Sequence, residues 1–258
     1  ATGTASPVEP ARFVLGPGVT VSGTLVAPRD APADESDPVR FAGLVVQARP
    51  DGALAGEAPP FAARADLTGA FVLEGLAPGT YRIEVRVSGY EHVVRRAIPA
   101  PVRDVRLVMR ALASIRGRVT DLAGAPAPSA EVRLAGSGVW PARAYPVQPD
   151  GSFAIEDIPG GVYELRAHDG SRVAEPIAPL VLRPGASRDV QLFVGPGLAL
   201  RGSVVDAASG RALEGAEVLA AEDALSTDVR AQRTDTNGAF TFTGLLRRPH
   251  QLSARARG

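Results

Sequence analysis

The sequence predicts an all-β chain, a tandem array of seven-stranded antiparallel β-sandwich domains whose third copy is incomplete, and three observations carry that prediction. Blocks of sequence recur three times at a common spacing. Inside the blocks, apolar and charged residues alternate with a period of two. Gly, Pro, Asp and Asn stand wherever such strands must reverse.

The most diagnostic block reads "LTGAFVLEGLAPGTYRIEV" at 67–85, "PDGSFAIEDIPGGVYELRA" at 149–167 and "TNGAFTFTGLLRRPHQLSA" at 236–254. A second block sets "GLVVQA" (43–48), "SAEVRL" (129–134) and "GAEVLA" (215–220) in register, with Val46, Val132 and Val218 each 86 residues apart. A third supplies Gly23, Gly117 and Gly202, spaced by 94 and 85. In "TYRIEVRV", Tyr81, Ile83, Val85 and Val87 alternate with Arg82, Glu84 and Arg86, so one face of an extended strand is apolar and the other charged. Asp150-Gly151 and Asn237-Gly238 are turn dipeptides, because Gly takes a positive φ without a Cβ clash. In the first copy strands are expected near 19–26, 43–49, 61–66, 70–74, 80–87, 92–98 and 102–109. Phe71 and Leu73, Phe153 and Ile155, and Phe240 and Phe242 are the inward pairs expected at the three cores. No sustained helical period occurs.

These blocks divide the chain into residues 1–18, a linker plus the last strand of a preceding repeat, then repeats at 19–110, 111–195 and 196–258. Phe13, Val14 and Leu15 align with Leu192, Phe193 and Val194 and with Leu107, Val108 and Met109, and "LGPG" at 15–18 recurs as "VGPG" at 194–197. The third copy is expected to lack its final strands. Two readings follow: the chain is an excerpt of a longer array, or Phe13, Val14 and Leu15 form a donor strand that completes the third sandwich of another molecule.

Composition excludes several classes of function. With 28 basic and 28 acidic residues the net charge is zero, so there is no long-range field to hold nucleic acid. Every basic residue is Arg, which removes a phosphate-loop lysine, a Schiff base and a Lys–Asn cross-link. No Cys is present, so disulfides and thiolate metal sites are absent. No apolar run is long enough to insert into a membrane.

Candidate chemistry is sparse. His92, His168 and His250 fall one to a copy with no metal-binding spacing, so neither a metal nor a cofactor is expected. "AGSGVW" at 135–140 is a Gly-Ser loop without the geometry of a serine nucleophile, and "DTNG" at 235–238 lacks the remaining ligands of a calcium loop. No catalytic residue is assigned. The insertion 136–151 carries the single Trp, Trp140, with Arg143 and Tyr145, and aromatic faces beside Arg are suited to a sugar ring or a protein partner.

The order "IRGRVTD" (115–121), "SAEVRL" (129–134), "DGSFAI" (150–155) and "IPGGVYELRA" (158–167) resembles the carboxypeptidase regulatory-like domain. The resemblance implies a transthyretin-like or starch-binding-like sandwich of the prealbumin/Ig-like type, and extends over all three copies. The third departs from it, with "LLRRPH" (245–250) where "LAPGTY" (76–81) stands, so that His250 takes the Tyr place. The resemblance implies a non-catalytic module of a bacterial extracellular or cell-surface protein, the periplasm being a further setting. On this reading the chain is a semi-rigid spacer or cohesive segment whose partners are neighbouring repeats or copies of itself. The alternative is a carbohydrate-binding or accessory array attached to an enzyme or outer-membrane receptor, with polysaccharide as the partner.

Overall fold

A computed structural model describes residues 17–29, 31, 37–52, 59–222 and 229–256. The donor-strand residues Phe13, Val14 and Leu15 lie outside the described residues. The chain forms two compact units, Ala1–Met109 and Arg110–Gly258.

In the first unit the strands are β1 (Val19–Val26), β2 (Val45–Pro50), β3 (Phe61–Arg64), β4 (Ala70–Leu76), β5 (Gly79–Val85), β6 (Val93–Ala100) and β7 (Val102–Val108). They make a three-stranded sheet, β4-β1-β7, and a four-stranded sheet, β3-β2-β5-β6. Both bury their apolar alternation between them: Val21, Leu25, Phe71 and Leu73 from one sheet meet Val46, Ala48, Ile83 and Val85 from the other. The loop before β2 adds something the strand pattern does not announce. A short 3₁₀ turn, Pro38–Phe41, capped by the Asp37 carboxylate on the Val39 N–H, drives Phe41 into the same core.

The second unit opens with β8 (Ala113–Asp121), β9 (Glu131–Gly136), β10 (Val139–Pro146), β11 (Ser152–Ile158), β12 (Gly161–Asp169), β13 (Arg172–Val173), β14 (Ile177–Leu182) and β15 (Ser187–Pro196). It continues with β16 (Leu198–Ser203), β17 (Glu217–Ala221), β18 (Arg230–Arg233), β19 (Ala239–Leu245) and β20 (Gln251–Arg255). The pairings of β8 with β11 and β15, and of β9 with β10 and β12, repeat those of the first unit. The two-residue β13 adds a link absent there: it pairs with both β12 and β15 and joins the sheets into one of eight strands. From β16 onward the pairings are β16-β19 and β18-β17-β20.

The turn chemistry recurs with the sequence. Gly69, Gly151 and Gly238 close turns by donating to Asp66 O, Gln148 O and Asp235 O at 3.0, 2.8 and 2.9 Å. Their own carbonyls accept from Leu25, Val119 and Val204 N–H on the neighbouring strand. The adjoining carboxylates finish each turn: Asp66 Oδ1 accepts from Thr68 and Ala70 N–H, and Asp235 Oδ1 from Asn237 and Ala239 N–H. "DTNG" is therefore a hairpin turn whose Asp235 oxygen is spent on the backbone. Phe71, Phe153 and Phe240 stand opposite Gly23, Gly117 and Gly202 in the same antiparallel register.

Candidate functional site

The most structured polar site of the molecule lies inside the second unit, where the 111–195 segment meets the 196–258 segment. It begins with the period-two alternation of β12. Tyr163, Leu165 and Ala167 point into the core, which leaves Glu164, Arg166 and His168 on the opposite face. Arg166 reaches across the joint to Glu222, just past β17, donating from Nη1 to Oε1 at 2.6 Å and from Nη2 to Oε2 at 3.1 Å. This is the bidentate fork that matches a planar guanidinium to a carboxylate. Its Nε donates to Glu164 on its own strand. Arg248 completes the cluster from the far side, donating to Glu222 Oε2 at 3.2 Å and to Glu175 Oε2 at 2.6 Å.

Arg166 and Glu222 are largely withdrawn from solvent, with side-chain exposures of 12% and 15%. Burial works against the charge on Arg166, but its bonds to Glu222 and Glu164 outweigh that and hold the guanidinium pKa above its ordinary value. Burial likewise pushes the Glu222 carboxyl upward, and the Arg166 hydrogen bonds and charge, with Arg248 and His250 beyond, more than reverse it, so its pKa is lowered. Removing either partner would leave the other in a poorly solvated place with a single remaining counterion among the described residues, Glu164 for Arg166 or Arg248 for Glu222.

Backbone contacts seat the same joint. The Gly197 N–H donates to Ser171 O at 2.9 Å, at the turn between β12 and β13. A Cβ on Gly197 would stand 2.5 Å from the Cα of Gly244, and one on Gly244 would stand 2.7 Å from Gly170 O, so glycine alone permits this approach. A cavity of about 20 Å³, room for roughly one water molecule, lies beside these contacts, lined by Arg166, His168, Ala174, Glu222, Leu246 and His250 among others. His250 Nδ1 is buried, with no hydrogen-bond partner among the described residues. At the equivalent places Tyr81 and Tyr163 donate to the carbonyls of Ala77 and Pro159, at 3.0 and 2.7 Å. The exchange of Tyr for His thus trades a local corner bond for a place beside the joint.

The residues singled out for ligand contact, Trp140, Arg143 and Tyr145, all lie on β10. Trp140 is 71% exposed on β10. Arg143, exposed, pairs with Leu134, and Tyr145, paired with Val132, packs its ring against the core. Ser137, of the Gly-Ser loop, accepts from Val162 N–H at 3.1 Å and donates to Val162 O at 3.3 Å, a structural strut between β9 and β12. The remaining histidines pair with carboxylates: His168 Nε2 lies 3.3 Å from Glu131 and His92 Nε2 3.3 Å from Glu84. Among the described residues no group of three or more His, Cys, Asp or Glu is placed to hold a metal ion, and no helix is long and apolar enough to cross a membrane.

Residues 199–258 match the carboxypeptidase regulatory-like domain. The match falls on the copy whose "LLRRPH" turn departs most from the common pattern. No curated protein matches the chain. Among solved structures, the TIE protein of Bacillus anthracis is similar over 93% of this chain and 46% of its own, at 16% identity and a TM-score of 0.30; this chain thus spans about half of that protein's length. The minor pilin GBS52 of Streptococcus agalactiae is similar over 69% of this chain and 96% of its own, at 11% identity and a TM-score of 0.36. The shaft pilin SpaA of Lactobacillus rhamnosus GG is similar over 70% of this chain and 99% of its own, at 11% identity and a TM-score of 0.30.

Proposed function

We propose that the chain is a non-catalytic structural segment of a bacterial extracellular or cell-surface protein, built from repeats at 19–110, 111–195 and 196–258 and acting as a semi-rigid spacer or cohesive module. The observation that carries this reading is the joint. A spacer must transmit orientation from one module to the next, and a flexible Gly/Ser linker cannot. Here β15 runs through Pro196 into β16 with only Gly197 between them, and the fork between Arg166 and Glu222 ties the two segments side chain to side chain. The absence of Cys makes the test direct, because a single pair of spin labels can be placed at Glu156→Cys and Thr241→Cys, both exposed. A narrow distance distribution between the labels, broadened by Glu222→Ala, is the expected result. An equally broad distribution in both proteins would remove the basis for a stiff joint.

A second reading, a carbohydrate-binding or accessory array, is favoured by the exposure of Trp140 alone. Its fluorescence is the whole tryptophan signal of the chain, so titration with soluble polysaccharides reports directly on that ring. A saturable shift that Arg143→Ala weakens supports this reading; unchanged emission across polysaccharides of different linkage discards it.

A further inference from the structure

Asn237 stands in a turn that withholds it from a reaction its own sequence invites, and we propose that it is a self-modification site: when the turn opens, its amide cyclises onto Gly238 and the chain is marked irreversibly. The chemistry is that of the turn alone and holds whether or not the chain serves as a spacer.

Asn237 is the single asparagine of the chain, and a glycine follows it. A glycine has no Cβ to hinder its backbone nitrogen as it swings onto the side-chain carbonyl carbon of the residue before it. In the open turn the Gly238 nitrogen gives up its proton to hydroxide and attacks Asn237 Cγ. The new N–Cγ bond closes a five-membered imide, the bond from Cγ to the side-chain nitrogen breaks, and ammonia leaves with a proton from water, which restores the hydroxide. Water then opens the imide at either carbonyl and leaves aspartate or isoaspartate at position 237. One water is consumed and one ammonia released, with no oxidant, metal or second protein required.

The closed turn blocks the first step. The Gly238 N–H donates to Asp235 O at 2.9 Å, and the Gly238 carbonyl accepts from the Val204 N–H at 2.9 Å. Gly238 is buried at a φ of 71°, and a Cβ there would stand 2.5 Å from Val204 O. Asp235 Oδ1 pins the residues on either side, accepting from the Asn237 N–H at 2.9 Å and the Ala239 N–H at 2.8 Å. A nitrogen held in this way neither loses its proton readily nor turns toward Cγ, although Asn237 itself is exposed.

The equivalent turns carry other residues at this place. In the first segment it is Thr68, within the same set of bonds: Asp66 Oδ1 accepts from Thr68 and Ala70 N–H, and the Gly69 N–H donates to Asp66 O. Threonine has no carbonyl carbon for the glycine nitrogen to attack. In the second segment it is Asp150, before Gly151. The Ser152 hydroxyl and N–H donate to Asp150 Oδ1 at 2.6 and 3.0 Å and hold that carboxyl below its ordinary value, and an ionised carboxylate is a poor acyl donor. Of the three equivalent turns, the third alone carries an amide.

The mark outlasts the opening. The imide nitrogen has no proton to return to Asp235 O. Isoaspartate carries the main chain through the former side-chain carbon, one methylene longer, so Gly238 no longer meets Asp235 and Val204 together, and the register that sets Phe240 opposite Gly202 loses its anchor.

The test follows the full-length chain in mildly alkaline buffer. Trypsin cutting after Arg233 and Arg247 releases the turn in one peptide, in which the two products separate from the amide, and each product adds one negative charge to a chain of zero net charge. Conversion is expected to run at least about tenfold faster in denaturing urea than in the native chain. Asp235→Ala, which takes the carboxylate out of the turn, is expected to raise the native rate about fivefold, with hydrogen exchange at the Gly238 amide rising by the same factor. Thr68→Asn sets the same pair into the matching turn of the first segment and is expected to convert in urea and to stay unreacted when folded. Equal rates in native and unfolded chains, conversion while the Gly238 amide keeps its exchange protection, an Asp235→Ala chain that exchanges faster yet converts no faster, or a folded Thr68→Asn chain that converts there at the urea rate would each overturn the proposal.

Discussion

The 111–195 and 196–258 segments carry the same turn and the same Phe-opposite-Gly pairing, yet they differ widely in what they bury. Among the described residues, twenty buried ones form the core of the former and four that of the latter, where Val218, Ala220, Phe242 and Leu245 are joined by partly buried Leu200, Val204 and Phe240. The sequence blocks are alike, so the difference is one of strand neighbours. In the second segment β15 and β14 cover the outer edges of β8 and β12, and they contribute Leu180, Leu182, Leu192 and Val194 to the core. Local sequence sets the turns and the alternation; how far an apolar face is withdrawn from water depends on the strand laid beside it.

The largest effect expected from this comparison is at the shared phenylalanine. Phe153 is 4% exposed inside the larger core, and Phe153→Ala should destabilise that segment by about 3–5 kcal/mol. Phe240 is already partly in solvent, and Phe240→Ala should cost about 1–2 kcal/mol. Hydrogen exchange read segment by segment during urea denaturation separates the two. Equal losses at both sites would show that the third core is as closely packed as the second, which would undo the comparison.

Much of the fold was legible in the residues, and much of the joint was not. The strands expected in the first copy near 70–74 and 80–87 are Ala70–Leu76 and Gly79–Val85, and five of the six residues named as inward pairs are buried, Phe240 being the exception. These features are local: alternation and turn chemistry act over a few residues. Phe41 was missed because its burial depends on a 3₁₀ turn in a loop without periodicity. In the second copy Arg172 and Val173 pair with Pro196 and Gly195, more than twenty residues on, a link that no local pattern announces. Arg166 and Glu222 carry no mark in the sequence either. They lie 56 residues apart, and Arg166 reads as one more solvent-facing charge on an alternating strand until the two segments are set against each other.

The next effect in size belongs to that pair and is read through pH. A carboxyl held below its ordinary value of about 4.5 contributes stability that is fully present above that pH and is lost as pH falls through the lowered value. The two segments should therefore unfold as one cooperative unit above pH 5 and separate into two transitions as Glu222 takes up a proton, below about pH 4.5. Glu222→Gln should show the separated behaviour at neutral pH, with the third segment destabilised by about 2 kcal/mol. Differential scanning calorimetry across this range decides it: a second segment whose melting ignores the substitution would mean that the bond between Arg166 and Glu222 orders side chains without coupling the modules.

The smallest effect sharpens the comparison at one residue. Tyr163 donates to Pro159 O across its corner at 2.7 Å, and Tyr163→Phe should cost the second segment about 1 kcal/mol, the net worth of one such bond. The equivalent His250 makes no corner bond through its buried Nδ1 and lines the joint cavity beside Glu222. His250→Phe should therefore leave the stability of the third segment within about 0.5 kcal/mol if its ring serves only as packing. If the ring serves the joint, the same substitution alters the coupling of the two melting transitions while Tyr163→Phe leaves that coupling intact. The two variants in parallel thus distinguish a corner residue that has lost its bond from one that has been moved to a different task.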